Sequence, residues 1–218
     1  MAYSGQVTVG GPADVHELPD LIISKVAVGP MDNNAYLLRC RATGEQLLID
    51  AAAEPATLLS LIGEGGLTAV VTTHRHPDHW QALREVVDAT GATTYAGRED
   101  VPGIPVATEV PVDDGGTIPV GGIRLTARHL VGHTPGSIAL VYDDPHGHPH
   151  LFTGDCLFPG GIGNTHGDAE AFTTLLDGVS SKLFDALPDE TWVYPGHGND
   201  TTLGAERPHL AEWRERGW

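Results

Sequence analysis

Thr73-His74-Arg75-His76-Pro77-Asp78-His79-Trp80 decides how the chain is read, because it places three imidazoles and one carboxylate within six residues, directly after the apolar run Leu67 to Val71. Neutral imidazole and carboxylate are the usual nitrogen and oxygen ligands of zinc, iron and manganese, so donors this dense read as a metal-binding cluster. The spacing His-x-His-x-Asp-His has donors enough for two ions. Pro77 removes a backbone donor and limits helix formation, so the ligands are expected to fan out from an irregular turn before a helix begins near His79. The competing reading, a solvated His-rich loop, suits an isolated pair of histidines better than four candidate ligands at this spacing.

Upstream, Leu21 to Val28 and Ala35 to Cys40 read as strands joined by the turn-forming cluster Gly29 to Asn34, and Gln46 to Ile49 reads as a third, antiparallel strand ending at Asp50. Glu54 to Ile62 has helical spacing and stops at Gly63. Leu67 to Thr73 is then a strand buried on both faces, whose C-terminal end delivers the metal loop. Downstream, Trp80 to Ala89 reads as a helix and Thr93 to Ala96 as a short strand. Arg98 to Gly116 reads as surface structure with short β-like pieces such as Glu109 to Val112. Thr117 to Val120 and Ile123 to Leu130 form a hairpin aimed at His133. Ser137 to Tyr142 and His150 to Thr153 form a second strand pair, with His146 and His148 as hairpin-tip residues. Glu170 to Leu187 carries apolar residues at helical spacing, and Thr191 to Tyr194 is a last buried strand. Two strand-rich halves, each with helices, predict two sheets packed face to face between helical layers, in one domain spanning residues 1–218.

The chain has 218 residues, 40% hydrophobic and 19% charged, a composition that suits one folded domain and neither disorder nor a membrane protein. No apolar run approaches the roughly 20 residues of a membrane span. Met1 to Pro12 shows no basic residue and no apolar stretch with a cleavage site, which makes the cytoplasm the default location. Cys40 and Cys156 form no disulfide framework and are expected to be small buried residues. A net charge of -17 repels phosphate backbones, so nucleic acid is not an expected partner. Twelve histidines exceed what a core normally needs, and two divalent ions would offset part of the negative charge. The oligomeric state is not written in the sequence.

Three later segments also place a potential ligand beside glycine and after a β-like run: His133 in Gly132-His133-Thr134-Pro135-Gly136, Asp155 in Thr153-Gly154-Asp155-Cys156, and His197 in Pro195-Gly196-His197-Gly198. Each is weak alone. With all four segments in this order, from about Ala35 to Glu206, the chain resembles the metallo-β-lactamase-fold superfamily, and within it the compact glyoxalase II-like (hydroxyacylglutathione hydrolase-like) thioester hydrolases. The resemblance implies an α/β fold, a four-layer αββα sandwich of two mixed β-sheets flanked by helices. It further implies that His74, His76 and His133 hold a first metal, that Asp78, His79 and His197 hold a second, and that Asp155 bridges both. Zinc is the first expectation, with iron or manganese suited to the same donors.

Departures from the family pattern narrow the chemistry. The best-known zinc lactamases carry a cysteine where this chain has Asp155, which argues against a β-lactamase; a lactonase ranks below the thioester hydrolase. Larger glyoxalase II enzymes carry a basic residue after the Gly-x-Gly that follows the bridging aspartate, whereas this chain reads Gly161-Ile162-Gly163-Asn164-Thr165. Two ions sharing one water would lower its pKa and leave a bridging hydroxide as nucleophile, with Asp78 and Asp155 as the catalytic carboxylates around it. The small-molecule substrate is then a thioester or related ester. Similar persulfide dioxygenases offer the rival reaction, using one iron on the equivalents of His74, His133 and Asp155; a non-catalytic metal-binding module ranks below both. Asp50, at a strand end, is either an acceptor for a ligand imidazole or a plain turn residue. Arg75, Phe158, Asn164 and His166 are candidates to line the substrate pocket, and Trp80 reads as packing.

Overall fold

Alternation sets the first sheet. The computed structural model describes residues 3–217; Met1 and Ala2, with which the reading of the N-terminal stretch begins, and Trp218 lie outside them. The strands of the first sheet are β1 (Asp14–Glu17), β2 (Leu21–Val28), β3 (Asn33–Cys40), β4 (Gln46–Ile49), β5 (Ala69–Thr72), β6 (Thr93–Gly97) and β7 (Val110–Val112), hydrogen-bonded in that order. The first four pair antiparallel and the last four parallel, so the sheet is mixed. The second sheet is also mixed and runs β15-β14-β11-β10-β9-β8. Its strands are β8 (Thr117–Val120), β9 (Ile123–His129), β10 (Ile138–Tyr142), β11 (His150–Gly154), β14 (Trp192–Pro195) and β15 (Thr201–Thr202). Between β11 and β14 lies a small hairpin, β12 (Leu157–Phe158) with β13 (Gly161–Ile162).

Three apolar layers follow from these faces. Leu21, Ile23, Leu38 and Ile49 of the first sheet meet Leu125, Leu140, Phe152 and Tyr194 of the second, forming the core between the sheets. The outer face of the first sheet packs on α1 (Pro55–Ile62) and α2 (Leu83–Thr90). The outer face of the second packs on α3 (Ala169–Val179), while Leu203 of the short α4 (Leu203–Glu206) and Trp213 of α5 (Leu210–Arg216) complete that layer. The result is the αββα order expected from the two strand-rich halves.

Four details differ from the sequence expectation. The segment after Pro77 is a 3-10 turn over Pro77–His79, and α2 starts only at Leu83, because proline is tolerated in the first turn but the chain must still turn at Trp80. The helix expected to reach Leu187 is regular to Val179 and then widens into a π-turn over Ser180–Phe184. Strand β1 was not read at all, since its sequence Asp-Val-His-Glu is polar and only half-buried. Arg98 to Gly116 is not merely surface: Asp100, Ile104 and Val112 are buried.

Parallel pairing positions the site. Strands β4 and β5 run parallel, as do β11 and β14, so the C-terminal ends within each pair lie side by side. Ligands in open α/β sheets bind beyond such ends. Asp50 follows β4, the His74 loop follows β5, Asp155 follows β11 and His197 follows β14.

Candidate metal centre

The seven donors predicted from sequence converge on this rim. His74 Nε2 lies 3.1 Å from His76 Nδ1 and 3.3 Å from His133 Nε2. On the other side, Asp78 Oδ2 lies 3.5 Å from His79 Nε2 and 3.3 Å from His197 Nε2. Asp155 stands between the two sets, with Oδ2 3.9 Å from His74, 3.6 Å from His133 and 3.6 Å from His197, and Oδ1 3.3 Å from His79. Each set of three offers atoms within 4.8 Å of one another, as does the group His74, His79 and Asp155 that joins them.

The outer ring nitrogens explain why the inner ones are acceptors. His133 Nδ1 donates to Asn164 O at 2.9 Å, and His197 Nδ1 donates to Met31 O at 2.9 Å. His79 Nδ1 faces Asp50 Oδ2 at 2.8 Å. Thr73 Oγ1 donates to the same Asp50 oxygen at 2.8 Å, so it can only accept from His74 Nδ1, 3.1 Å away. In the neutral imidazoles the inner Nε2 of His74, His133 and His197 is therefore a lone pair, and only that of His197 also meets a side-chain amide, Asn33 Nδ2 at 3.3 Å. His79 Nε2 and Asp155 Oδ1 are buried with no hydrogen-bond partner. Acceptors that converge in this way need a shared proton or a cation between them, and the set of five imidazoles and two carboxylates suits divalent ions.

Protonation follows the same geometry. Burial opposes a charged His79, yet Asp50 and Asp155 outweigh it and push its pKa up to about 10. Burial would raise the Asp155 carboxyl, but His197 and His79 hold it well below the usual carboxylate range. Burial, aided by the neighbouring His79, holds His74 well below the ordinary imidazole value. A divalent ion entering this centre thus displaces a proton from His79. Space is matched as closely: a Cβ on Gly196 would stand 2.3 Å from Asp155 Oδ1 and 2.8 Å from His79 Cε1.

The remaining predicted residues divide. Asp50 is an acceptor for a ligand imidazole, and its left-handed backbone (φ 58°) turns the chain back so that it also accepts from Thr73 N at 2.7 Å. Phe158 lines a cleft of about 430 Å³ together with Asp155, Pro159 and His197. Phe158 also borders a neighbouring cavity of about 300 Å³ lined by Asn164. Asn164 contributes its carbonyl to His133, while its side chain accepts from His166 N at 2.7 Å. His166 meets the His76 ring edge-on at 6.4 Å. Arg75 points to a third cavity beside His133, and its carbonyl accepts from Trp80 Nε1 at 2.8 Å. Cys156 is buried in the apolar layer under α3, where burial pushes its thiol up to about 12, so it offers no thiolate at neutral pH. His146 pairs with Asp20 at 3.1 Å and His148 lies tilted against the His150 ring; neither joins the metal groups.

Two polar residues around the centre were missed. Asn33, read as part of a turn, begins β3 and donates to Asp78 Oδ2 at 2.9 Å. Asp100, read as surface, is fully buried and joins the two ligand loops: it accepts from Arg75 N at 2.9 Å, from Gly136 N at 2.8 Å and from the Thr134 hydroxyl. Neither stands in a donor-rich segment, and both act on groups far away in the chain, so no local spacing marked them.

A two-sheet sandwich that gathers imidazoles and carboxylates on one rim defines a class of metal-binding αββα proteins. Residues 28–197 match the model of the Metallo-beta-lactamase superfamily, and the chain belongs to that superfamily. It is 35% identical over 182 residues to a hydroxyacylglutathione hydrolase of Polaromonas sp., covering 81% of this chain and 66% of that protein. It is 30% identical over 202 residues to the probable metallo-hydrolase YqgX of Bacillus subtilis, covering 84% of this chain and 93% of that one. Among solved structures it is similar to TTHA1623 in a di-iron-bound form, at 32% identity and a TM-score of 0.67, over 84% of this chain and 96% of that one. Among the described residues no helix is long and apolar enough to cross a membrane.

Proposed function

We propose that the protein is a dinuclear metal-dependent hydrolase of a thioester or related ester, glyoxalase II-like, with zinc as the first expectation. The observation that carries this reading is the convergence of acceptor atoms on Asp155, two of them buried without a partner. The likeness to a hydroxyacylglutathione hydrolase and to a probable metallo-hydrolase supports the reaction class. His74, His76 and His133 would hold the first ion, Asp78, His79 and His197 the second, and Asp155 both.

Bound divalent ions supply Lewis acidity for a carbonyl oxygen and lower the pKa of a water towards neutrality. The chain supplies the rest. Asp50 fixes the His79 tautomer and, through Thr73, that of His74. Asn33 holds Asp78 by one oxygen. Phe158 and Pro159 wall the cleft that opens on Asp155 and His197, where a substrate carbonyl would enter.

Elemental analysis of protein purified without added metal, followed by turnover of a panel of thioesters, tests the reading. About two zinc ions per chain with thioester turnover is the expected result, and Asp155→Ala is expected to abolish turnover and lower metal content. Unchanged turnover in that variant overturns the proposal. The di-iron form of a similar structure keeps iron open as the metal. About one iron per chain, with oxygen uptake on a persulfide, would replace the hydrolase by a dioxygenase using His74, His133 and Asp155.

A further inference from the structure

Lys25 occupies an inward position of β2, in alternation with Leu21 and Ile23, and is fully buried between the sheets. Its ammonium uses three donors: Nζ donates to Gly5 O at 2.7 Å, to Gly198 O at 2.7 Å and to Asp200 Oδ1 at 2.6 Å. Asp200 in turn accepts on Oδ2 from the Tyr3 hydroxyl at 2.6 Å and from Trp192 Nε1 at 2.9 Å. A Cβ on Gly5 would meet the Asp200 carboxyl carbon at 2.6 Å, so the N-terminal segment is packed directly on this pair.

A buried ion pair is weak evidence for stability, because desolvation offsets much of the attraction. What the pair holds is more informative. The loop carrying His197 is bound to the first sheet by its carbonyls: Pro195 O accepts from Asn34 Nδ2 and the Tyr36 hydroxyl, and Gly196 O accepts from Asn34 N. Beyond the histidine, Gly198 O accepts from Asn34 Nδ2 and from Lys25 Nζ, and Asp200 anchors the same turn two residues later. Asn34 and Tyr36 thus fix the approach to His197, and Lys25 with Asp200 fixes the exit together with Asn34. Tyr3, Gly5, Lys25 and Asp200 all lie outside the 28–197 segment that matches the superfamily.

We propose that Lys25 and Asp200 are positioning residues that preset the His197 loop, and with it the second ion site, from outside the family segment. The inference rests on His197 being a ligand of the second ion, as set out under the proposed function. Its physical content is that the loop is ordered before any ion arrives, so the ion need not order it on binding.

Two measurements on wild type, K25M/D200N, Lys25→Arg and Tyr3→Phe test it. The first is zinc content after dialysis against graded free zinc; the second is amide hydrogen exchange of the metal-free proteins. The double variant, which removes both charges together, is expected to keep the first ion and to bind the second at least about tenfold more weakly. Its amides over 196–200 are expected to exchange at least about tenfold faster, with those over 74–80 unchanged. Lys25→Arg, which restores a charged donor, should recover part of both effects. Tyr3→Phe removes one donor and no charge, and should loosen 196–200 by a smaller factor even if the double variant fails to fold. Unchanged exchange over 196–200 and an unchanged second ion, with only thermal stability lowered, overturn the inference. A wild type that takes up a single zinc overturns the two-ion reading instead, and the exchange data still decide whether the pair presets the loop.

Discussion

At Asp50 one carboxylate orients two candidate ligands, His79 directly and His74 through Thr73. Asp50→Asn keeps the size of the side chain but can present an N–H where His79 Nδ1 now donates, which favours the wrong tautomer. The expected outcome is a loss of metal affinity of about 10–100-fold, read by competition with a chromophoric chelator. The position of Asp50 at a strand end was legible, and its left-handed backbone was not. The same boundary separates the other residues. The seven candidate donors could be picked out because each is a metal-binding type of side chain in a short segment that contains glycine or proline. Asn33, Asp100 and Lys25 could not, because their roles are hydrogen bonds to groups such as Asp78, Gly136 and Gly198, 45, 36 and 173 residues away. Which strand ends share a rim decides those partners, and no local spacing records it.

Elements were most legible where period and boundary residues agree. Strand β5 reads as buried on both faces, and each of its four residues is buried. The helix α3 was expected from Glu170, and the chain enters it one residue earlier because Asp168 caps it, accepting from Glu170 N at 3.0 Å and Ala171 N at 2.9 Å. Its far end was overread because Leu183 and Phe184 remain in phase with the buried face while the backbone has already widened into a π-turn. The cap lies beside the cavity next to His133 but touches no donor of the centre. Asp168→Ala should therefore lower stability by about 1 kcal/mol, measured as a shift of the urea midpoint without a change of slope. Zinc content should stay at the wild-type value, since the cap acts on the helix and not on His133.

At the scale of the whole molecule, the two sheets meet in a histidine-rich seam. His16 from β1 and His150 from β11 each place Nδ1 2.8 Å from the Tyr194 hydroxyl of β14, and the His148 ring lies tilted against His150 with centroids 4.8 Å apart. Burial, reinforced by His148 and His16, pushes the His150 pKa down to about 3, and burial lowers that of His16 as well. An unfolded histidine titrates near about 6.5. Between these values the unfolded chain binds a proton that the folded seam refuses, so stability is complete above about pH 6.5 and is lost as pH falls towards 3. One such group changes the unfolding free energy by at most about 1.4 kcal/mol per pH unit. Carboxylates stay largely ionised down to about pH 5, so relief of the net charge of -17 does not mask the effect in the upper part of this window. The metal-free wild type should therefore unfold at progressively lower urea as pH drops from 6.5 to 5, and His150→Gln should show a shallower dependence over the same range. Because the histidines of the candidate metal centre are present in both proteins, the difference between the two slopes isolates the seam. Equal slopes would mean that the unfolding free energy does not depend on keeping His150 neutral between the sheets.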